Sequence, residues 1–184
     1  MQIILFSIAF LFCLMTSHVS YAEHPRVEPV ELSKEYQIKA AMLYKVTWFV
    51  RWKTKSFVDK NSPINLCIHE PDPFGSFIDQ LVDGHLFGKN KRRISILRIE
   101  HLEEDHSLAD CHVLFIPKES NISVPLQPGL LIVTEEQSIL TKQAHINFVT
   151  KKDHVALEIN MGNLNKSQIR ISSRLLKLAR IVGN

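Results

Sequence analysis

The stretch 100–112, EHLEEDHSLADCH, holds the densest set of reactive side chains in the sequence: Glu100, His101, Glu103, Glu104, Asp105, His106, Cys111 and His112. Such groups could ligate a metal, and a cysteine beside a histidine could supply a nucleophile and its base. The spacing argues against both. His101 and His106 are five apart, and neither H-E-x-x-H nor C-x-x-C occurs, so no coordination geometry is implied. Cys111 and His112 are adjacent, and neighbours on a strand point to opposite faces, so His112 is poorly placed to act as base for Cys111. The plainer reading is a solvated acidic loop. Cys111 stays open between nucleophile, metal ligand, buried thiol and half of a disulfide.

Other chemistry is equally sparse. The sequence has no G-x-S-x-G elbow, no P-loop and no dinucleotide-binding glycine pattern, and its six glycines are scattered, as are its nine histidines. No metal, no cofactor and no enzymatic activity are expected. The formal charge of +3 is mild and lacks the concentrated basic stripe that duplex binding requires, so nucleic acid is not an expected partner. Arg170, Arg174, Lys177 and Arg180 do form a basic face near the C-terminus, where a small anion or an acidic partner could dock.

The elements that must position these groups follow from periodicity. Ser33 is a helix N-cap, and SKEYQIKAAMLYKVTWFVRW continues as a helix that is apolar on nearly every side from Ala40 to Val50. Such a helix is deeply buried, or serves its own core and a partner at once. INLCIH (64–69), RISILRI (93–99), HVLFI (112–116) and LLIVT (130–134) read as strands buried on both faces. Phe74, Phe77, Ile78 and Leu81 follow helical spacing between the first two, and 101–110 forms a turn or short helix between the second and third. INFVT (146–150) and HVALEIN (154–160) form a hairpin edging the sheet. A last helix is predicted from Ser172 or Ser173, with Leu175, Leu178, Ala179 and Val182 as its apolar stripe, Arg180 at its negative pole and Gly183 after its end. The fold class is α/β: one domain, a mixed and mostly parallel sheet flanked by helices, with a C-terminal hairpin and a terminal helix.

The N-terminus sets the compartment. Residues 3–15 are an apolar block too short for a comfortable membrane span, and Ser20 and Ala22 fit the small-residue rule of a secretory cleavage site. Residues 1–22 are therefore read as a signal peptide, with a retained N-terminal anchor as the alternative. Residues 23–32, with two prolines and no periodicity, are read as a flexible leader, and 33–184 as the domain. Cleavage leaves Cys67 and Cys111 in a compartment that oxidises exposed thiol pairs. A bridge between them would close a loop of roughly 44 residues, worth on the order of 4 kcal/mol in the chain-entropy model.

Four segments then point to a family. They are the helix IKAAMLYKVTWFVRW, the strand INLCIHEPDPF, the strand head DCHVLFI, and VALEINMGNLNKSQIRISSRLLKLARIV. In order and spacing they resemble the YfiR-like proteins from about Glu35 to Val182, with differences at Lys53, at His69-Glu70 and at Ala144-His145. The resemblance implies an exported regulator. Its characterised type is a periplasmic repressor that restrains an inner-membrane diguanylate cyclase by contacting the cyclase's periplasmic sensor domain, lowering cyclic di-GMP and biofilm formation. It also implies that Cys67 pairs with Cys111, and a homodimer is among the associations it suggests. A second family cysteine pair has no counterpart here, since 140–160 contains no cysteine.

The expected function is therefore binding, in the periplasm, with no stable membrane insertion after signal cleavage. Tyr44, Trp48 and Trp52 on the apolar helix, with Arg170, Arg174 and Lys177 near the C-terminus, are the candidate partner or ligand surface. A small-molecule sensor is the alternative, with its pocket at the carboxyl ends of the parallel strands near His69, Glu70 and Ile116. A third possibility is a metallo-hydrolase built on 100–112.

Overall fold

A computed structural model describes residues 32–88, 91–102, 108–120, 122–135, 143–152 and 154–183. Residues 1–31, which include the segment read as a signal peptide and nearly all of that read as a leader, lie outside this range, as does part of the acidic segment, 103–107.

Helix α1, Lys34–Phe49, starts where the sequence places it. The Ser33 side chain accepts from the Tyr36 N–H, satisfying one donor of the first turn. The chain then passes into β1, Val50–Arg51, and a single 3₁₀ turn, Thr54–Ser56. Strand β2, Ile64–His69, is followed by α2, Ser76–Val82, and β3, Ile94–Ile99. Next come β4, Val113–Ile116; β5, Leu131–Glu135; β6, Ile146–Lys151; and β7, His154–Asn160. Helix α3, Met161–Lys166, leads to β8, Arg170–Ile171, then α4, Ser173–Leu176, and β9, Ala179–Val182.

Seven strands form one sheet in the order β3-β2-β4-β5-β6-β7-β9, while β1 and β8 pair apart from it. All neighbours in the large sheet are parallel except the β6–β7 hairpin. Side chains alternate across it with period two. Leu66, Ile68, Val113, Phe115, Leu131, Val133, Ile146 and Phe148 meet Ala40, Leu43 and Val46 of α1. Cys67, Leu114, Ile116 and Ile132 point the other way, into a second cluster with Leu108, Cys111, Val124, Leu130 and Ala144. The fold is the expected α/β class, with its mostly parallel mixed sheet, hairpin and terminal helix.

Three details differ from the expectation. β3 is an edge strand, so only Ile94 of it is buried and Leu97 is exposed. The hairpin is not the opposite edge, because β9 pairs outside β7. The terminal helix stops at Leu176, and the residues expected to continue it form β9. Of the supposed helical stripe only Leu175 is buried, and Leu178 is 72% exposed. The outer edge of β7 decided this: a strand there supplies a backbone ladder from Leu157↔Ala179 to Asn160↔Val182, which outweighs local helix propensity. Arg180 accordingly does not sit at a helix pole but pairs with Glu158. Gly183 follows a strand and has φ +68, and a β-carbon there would collide with the Asn160 side chain.

Polar groups inside this sheet are paired. At the carboxyl end of β5 the fully buried Glu135 accepts from Lys39 Nζ (2.6 Å), from the Tyr36 hydroxyl (3.4 Å) and from the Lys118 backbone N–H (3.2 Å). Lys39 also meets Glu35, whose other donor is Thr150 on β6. Burial pulls the Lys39 ammonium down, but its hydrogen bonds to Glu135 and Glu35 outweigh that and hold it above its usual value. On the opposite face of the sheet a polar row runs strand to strand. Thr134 donates to Asn147, Asn147 donates to Glu158, and Glu158 accepts from Arg180.

Removing Lys39 takes the buried counter-ion from Glu135, which keeps only its neutral donors Tyr36 and Lys118 N–H. Lys39→Met is expected to cost about 3–5 kcal/mol in urea unfolding, and adding Glu135→Gln to recover most of that loss.

His145 is fully buried just before β6. Its Nδ1 accepts the Ile132 N–H at 2.9 Å, so Nε2 carries the proton and donates to Ser167 Oγ at 2.6 Å. Desolvation drives its pKa from 6.5 to about 4. A folded-state pKa lowered in this way favours the neutral ring. Its contribution is whole above about pH 6.5 and is lost as pH falls towards 4, to a total of about 3 kcal/mol. Thermal melts should show that loss between pH 7 and pH 4.5. His145→Asn keeps an acceptor for Ile132 but cannot titrate, and should lose less over the same interval.

Candidate functional site

Cys67 and Cys111 are joined in a disulfide, with their α-carbons 5.9 Å apart. Cys67 lies inside β2 on the face away from α1, and Cys111 sits in the turn that enters β4, where its N–H reaches Leu108 O. The bridge therefore fastens a loop to the middle of the sheet. The next residue, His112, is held just as firmly. Its Nδ1 accepts from the Asn65 N–H (3.1 Å), and its Nε2 donates to Ser56 O (2.9 Å). Desolvation lowers its pKa, and neither ring nitrogen is left to serve as a base. The sequence pair Cys111-His112 is thus structural on both counts. Among the described residues no group of three or more His, Cys, Asp or Glu is placed to hold a metal.

His112 leads to the aromatic residues at the end of α1. Its ring stacks on Phe57 at 4.5 Å between centroids and meets the edge of Trp52 at 6.1 Å. Trp52 in turn donates its indole N–H to Gly129 O at 2.9 Å. Beyond it opens a cleft of about 830 Å³ whose walls include Trp48, Val50, Trp52, Phe57, Phe87 and Arg92. Arg92 lies 3.7 Å from the Phe57 ring centroid and donates to the Asp59 carbonyl, which fixes one wall. On the other side Trp48 meets Phe87 at 4.8 Å.

The three aromatic candidates play different parts. Tyr44 is buried and packs edge-on against Trp48 and Phe87, so it supports the cleft from behind. Trp52 is half-buried and tied to the body of the domain. Trp48 alone is open, 51% exposed, with Lys45 Nζ 5.2 Å above its ring.

The basic residues come to the same end of α1. Antiparallel pairing of β1 with β8 sets Arg51 directly opposite Arg170, and Ser172 N–H donates to Phe49 O, which docks α4 and Arg174 beside the helix end. Arg51, Arg170, Arg174 and Lys177 are all exposed, and among the described residues no carboxylate pairs with them. Two guanidinium groups on facing strand positions repel, a mild cost that an acidic partner would convert into attraction. Arg51 was not among the residues singled out by sequence. Its only signal was its place three residues after Trp48, and its cross-strand neighbour is 119 positions away.

The residues named for a ligand pocket meet at the carboxyl ends of the parallel strands. His69 and Ile116 are buried at the strand ends, His69 Nδ1 lies 2.7 Å from Ser120 Oγ, and that hydroxyl donates to Glu70 O.

Both sulfurs are nearly inaccessible and the loop they close spans 44 positions. Cys67→Ser/Cys111→Ser should lower the unfolding free energy by on the order of 4 kcal/mol, with the same loss in wild type after reduction. Chemical denaturation with and without reductant checks this.

Against known proteins, no curated protein matches the chain. A family model described as YfiR/HmsC-like matches residues 36–180, from the first turn of α1 into β9, and so takes in the disulfide, the cleft and the paired β1–β8 segment. The chain belongs to the YfiR/HmsC-like family.

Proposed function

We propose that this chain is an exported regulatory protein that restrains an inner-membrane diguanylate cyclase by binding the cyclase's periplasmic sensor domain. The observation that carries this reading is the family match over residues 36–180. The geometry supports a binding role for one particular surface. Trp48 offers a large exposed aromatic face at the mouth of a cleft that Arg51 also lines, and Arg170, Arg174 and Lys177 bring further positive charge to the same end of α1. An aromatic anchor bordered by arginines is the composition that dominates protein–protein binding energy. Tyr44 contributes by packing behind that anchor, and Trp52 by forming another wall of the cleft.

Repression requires a preference between two states of the target. If this surface fits the inactive sensor domain better than the active one, the cyclase equilibrium shifts by that difference in affinity, about 1.4 kcal/mol for each factor of ten. The disulfide reaches the same surface through a contiguous set of contacts: Cys111 precedes His112, His112 packs on Phe57 and Trp52, and Trp52 lines the cleft. Reduction would free the loop that carries His112 and loosen the wall of the cleft.

The test is genetic and biochemical together. Deleting the gene should raise cellular cyclic di-GMP, and wild-type protein supplied to the periplasm should restore it. Trp48→Ala and Arg170→Glu/Arg174→Glu should fold normally yet bind the sensor domain of a neighbouring membrane-anchored GGDEF protein roughly 30-fold or more weakly, the scale of a hot-spot loss. Unchanged cyclic di-GMP on deletion would reject the cyclase as target. Full repression by both variants would reject this surface.

The cleft also supports a second reading, a small apolar ligand seated against Trp48 and Phe87. A thermal-shift screen of the purified domain separates the two, since a ligand raises the melting temperature by mass action without any cyclase present.

A further inference from the structure

The parallel strands β2 to β6 all begin at one end of the domain. α1 finishes there, since Trp52 bonds to Gly129 just ahead of β5, and so does α2, which leads into β3. That end is made by segments 50–63, 83–88, 91–93, 108–112, 127–130, 143–145 and 161–174. Together they carry ten lysines and arginines against three acids, whereas the rest of the sequence has twelve against sixteen. The mild total of +3 therefore hides one strongly basic end.

Two loops of this end are locked into one platform. Asn61 and Ser62 donate their N–H groups to Asp59 Oδ1 at 2.6 and 2.7 Å, and Asp59 N–H donates to Ser62 Oγ, which closes the turn. From the second loop the buried Arg92 donates to Asp59 O and Ser62 O, while its backbone pairs with Phe87. The turn is thus fixed in shape, yet its Val58 side chain is 96% exposed. Leu86, beside Phe87 on the second loop, is 48% exposed. Phe57 lines both the cleft that Leu86 borders and a groove of about 630 Å³ that Lys55 and Val58 border, so the two apolar tips share one face. Lys55, Lys60, Lys91 and Arg93 stand exposed around them, and among the described residues none of the four pairs with a carboxylate. Of the two acids on these loops, Asp59 directs its carboxylate at its own turn and Asp83 is exposed.

We propose that this platform is a peripheral membrane-binding face, on which Val58 and Leu86 enter the interfacial layer of a bilayer and Lys55, Lys60, Lys91 and Arg93 meet anionic phospholipid headgroups. Three features select a lipid surface over an acidic protein. Lysine is depleted in protein–protein interfaces, and three of these four cations are lysines. The apolar side chains stand on separate tips, which a fluid interface can mould around and a rigid partner would have to match. The surrounding end of the domain is basic as a whole, and each lysine or arginine held close to an anionic bilayer raises partitioning by about fivefold. The platform uses neither Trp48 nor Arg170, and its binding to lipid does not depend on which target the chain restrains.

At low salt the mature oxidised protein should co-sediment with phosphatidylcholine vesicles containing about 30% phosphatidylglycerol, and stay in solution with phosphatidylcholine alone. Lys55→Glu/Lys60→Glu should lower the partition coefficient roughly 25-fold or more, for two charges lost at about fivefold each. Val58→Ser should weaken binding about fivefold. Val58→Trp should strengthen it, with a blue shift of the new indole's emission on vesicles. All three positions are exposed, so circular dichroism and the urea midpoint should match wild type. Absence of wild-type binding, equal binding to neutral vesicles, or binding indifferent to the lysine and Val58 variants would each overturn the proposal. So would loss of binding to a soluble sensor domain in these variants with vesicle binding unchanged, which would give the platform to the protein partner.

Discussion

Burial on both faces of the central strands constrains everything else in this molecule. β4 and β5 have no exposed residue, so each face of the sheet must be covered and each polar group entering it must find a partner. On one face α1 supplies the cover, which is why it is apolar over so much of its circumference. On the other face no described helix lies across the sheet. Its cover includes the loop segments that carry Leu108, Cys111, Val124 and Leu130, and the Cys67–Cys111 bridge fastens one of these to the strand beneath it. A loop contributes little cooperative structure of its own, so a covalent tie at that point does what a packed helix does on the opposite face.

The same constraint explains the buried polar residues. His112 and His145 each stand immediately before a strand, each accept a backbone N–H of a neighbouring segment, and each donate to a group outside the sheet. They are neutral hydrogen-bonding parts, not titrating sensors at neutral pH. Glu135, by contrast, carries a charge into the core at a strand end, and Lys39 from the covering helix answers it. That pair fixes α1 over β5, and Glu35–Thr150 extends the tie to β6. The position of α1 also sets that of its far end, which carries Trp48 and runs directly into β1, where Arg51 meets Arg170.

A binding surface has to be built from what the core leaves exposed. A candidate is the end of α1, where the Trp48 indole is left exposed and the β1–β8 pair brings Arg51 and Arg170 to the same end of the helix.

Local pattern in the sequence was enough for most elements, because each was dictated by neighbours in the chain. Ser33 caps α1, the β-branched runs at 64–69, 113–116 and 131–135 are too short and too apolar for anything but buried strands, and the polar turn after Lys151 makes a hairpin. The family resemblance supplied the disulfide, and the structure joins the same two cysteines. Other features depended on partners far away in sequence. Leu175, Leu178, Ala179 and Val182 satisfy a helical pattern, yet the vacant edge of β7 drew the second half of that segment into a strand. Trp48 and Trp52 are indistinguishable as letters four apart; only packing left one open and tied the other to Gly129. Lys39 and Glu135, and Arg51 and Arg170, meet only because the sheet order brings their elements together. By itself the sequence determined the elements, since helix caps and side-chain alternation act over a few residues. Which residues face solvent, and which charges meet, was decided only by the tertiary structure, because hydrogen-bond satisfaction and burial are properties of the assembled sheet.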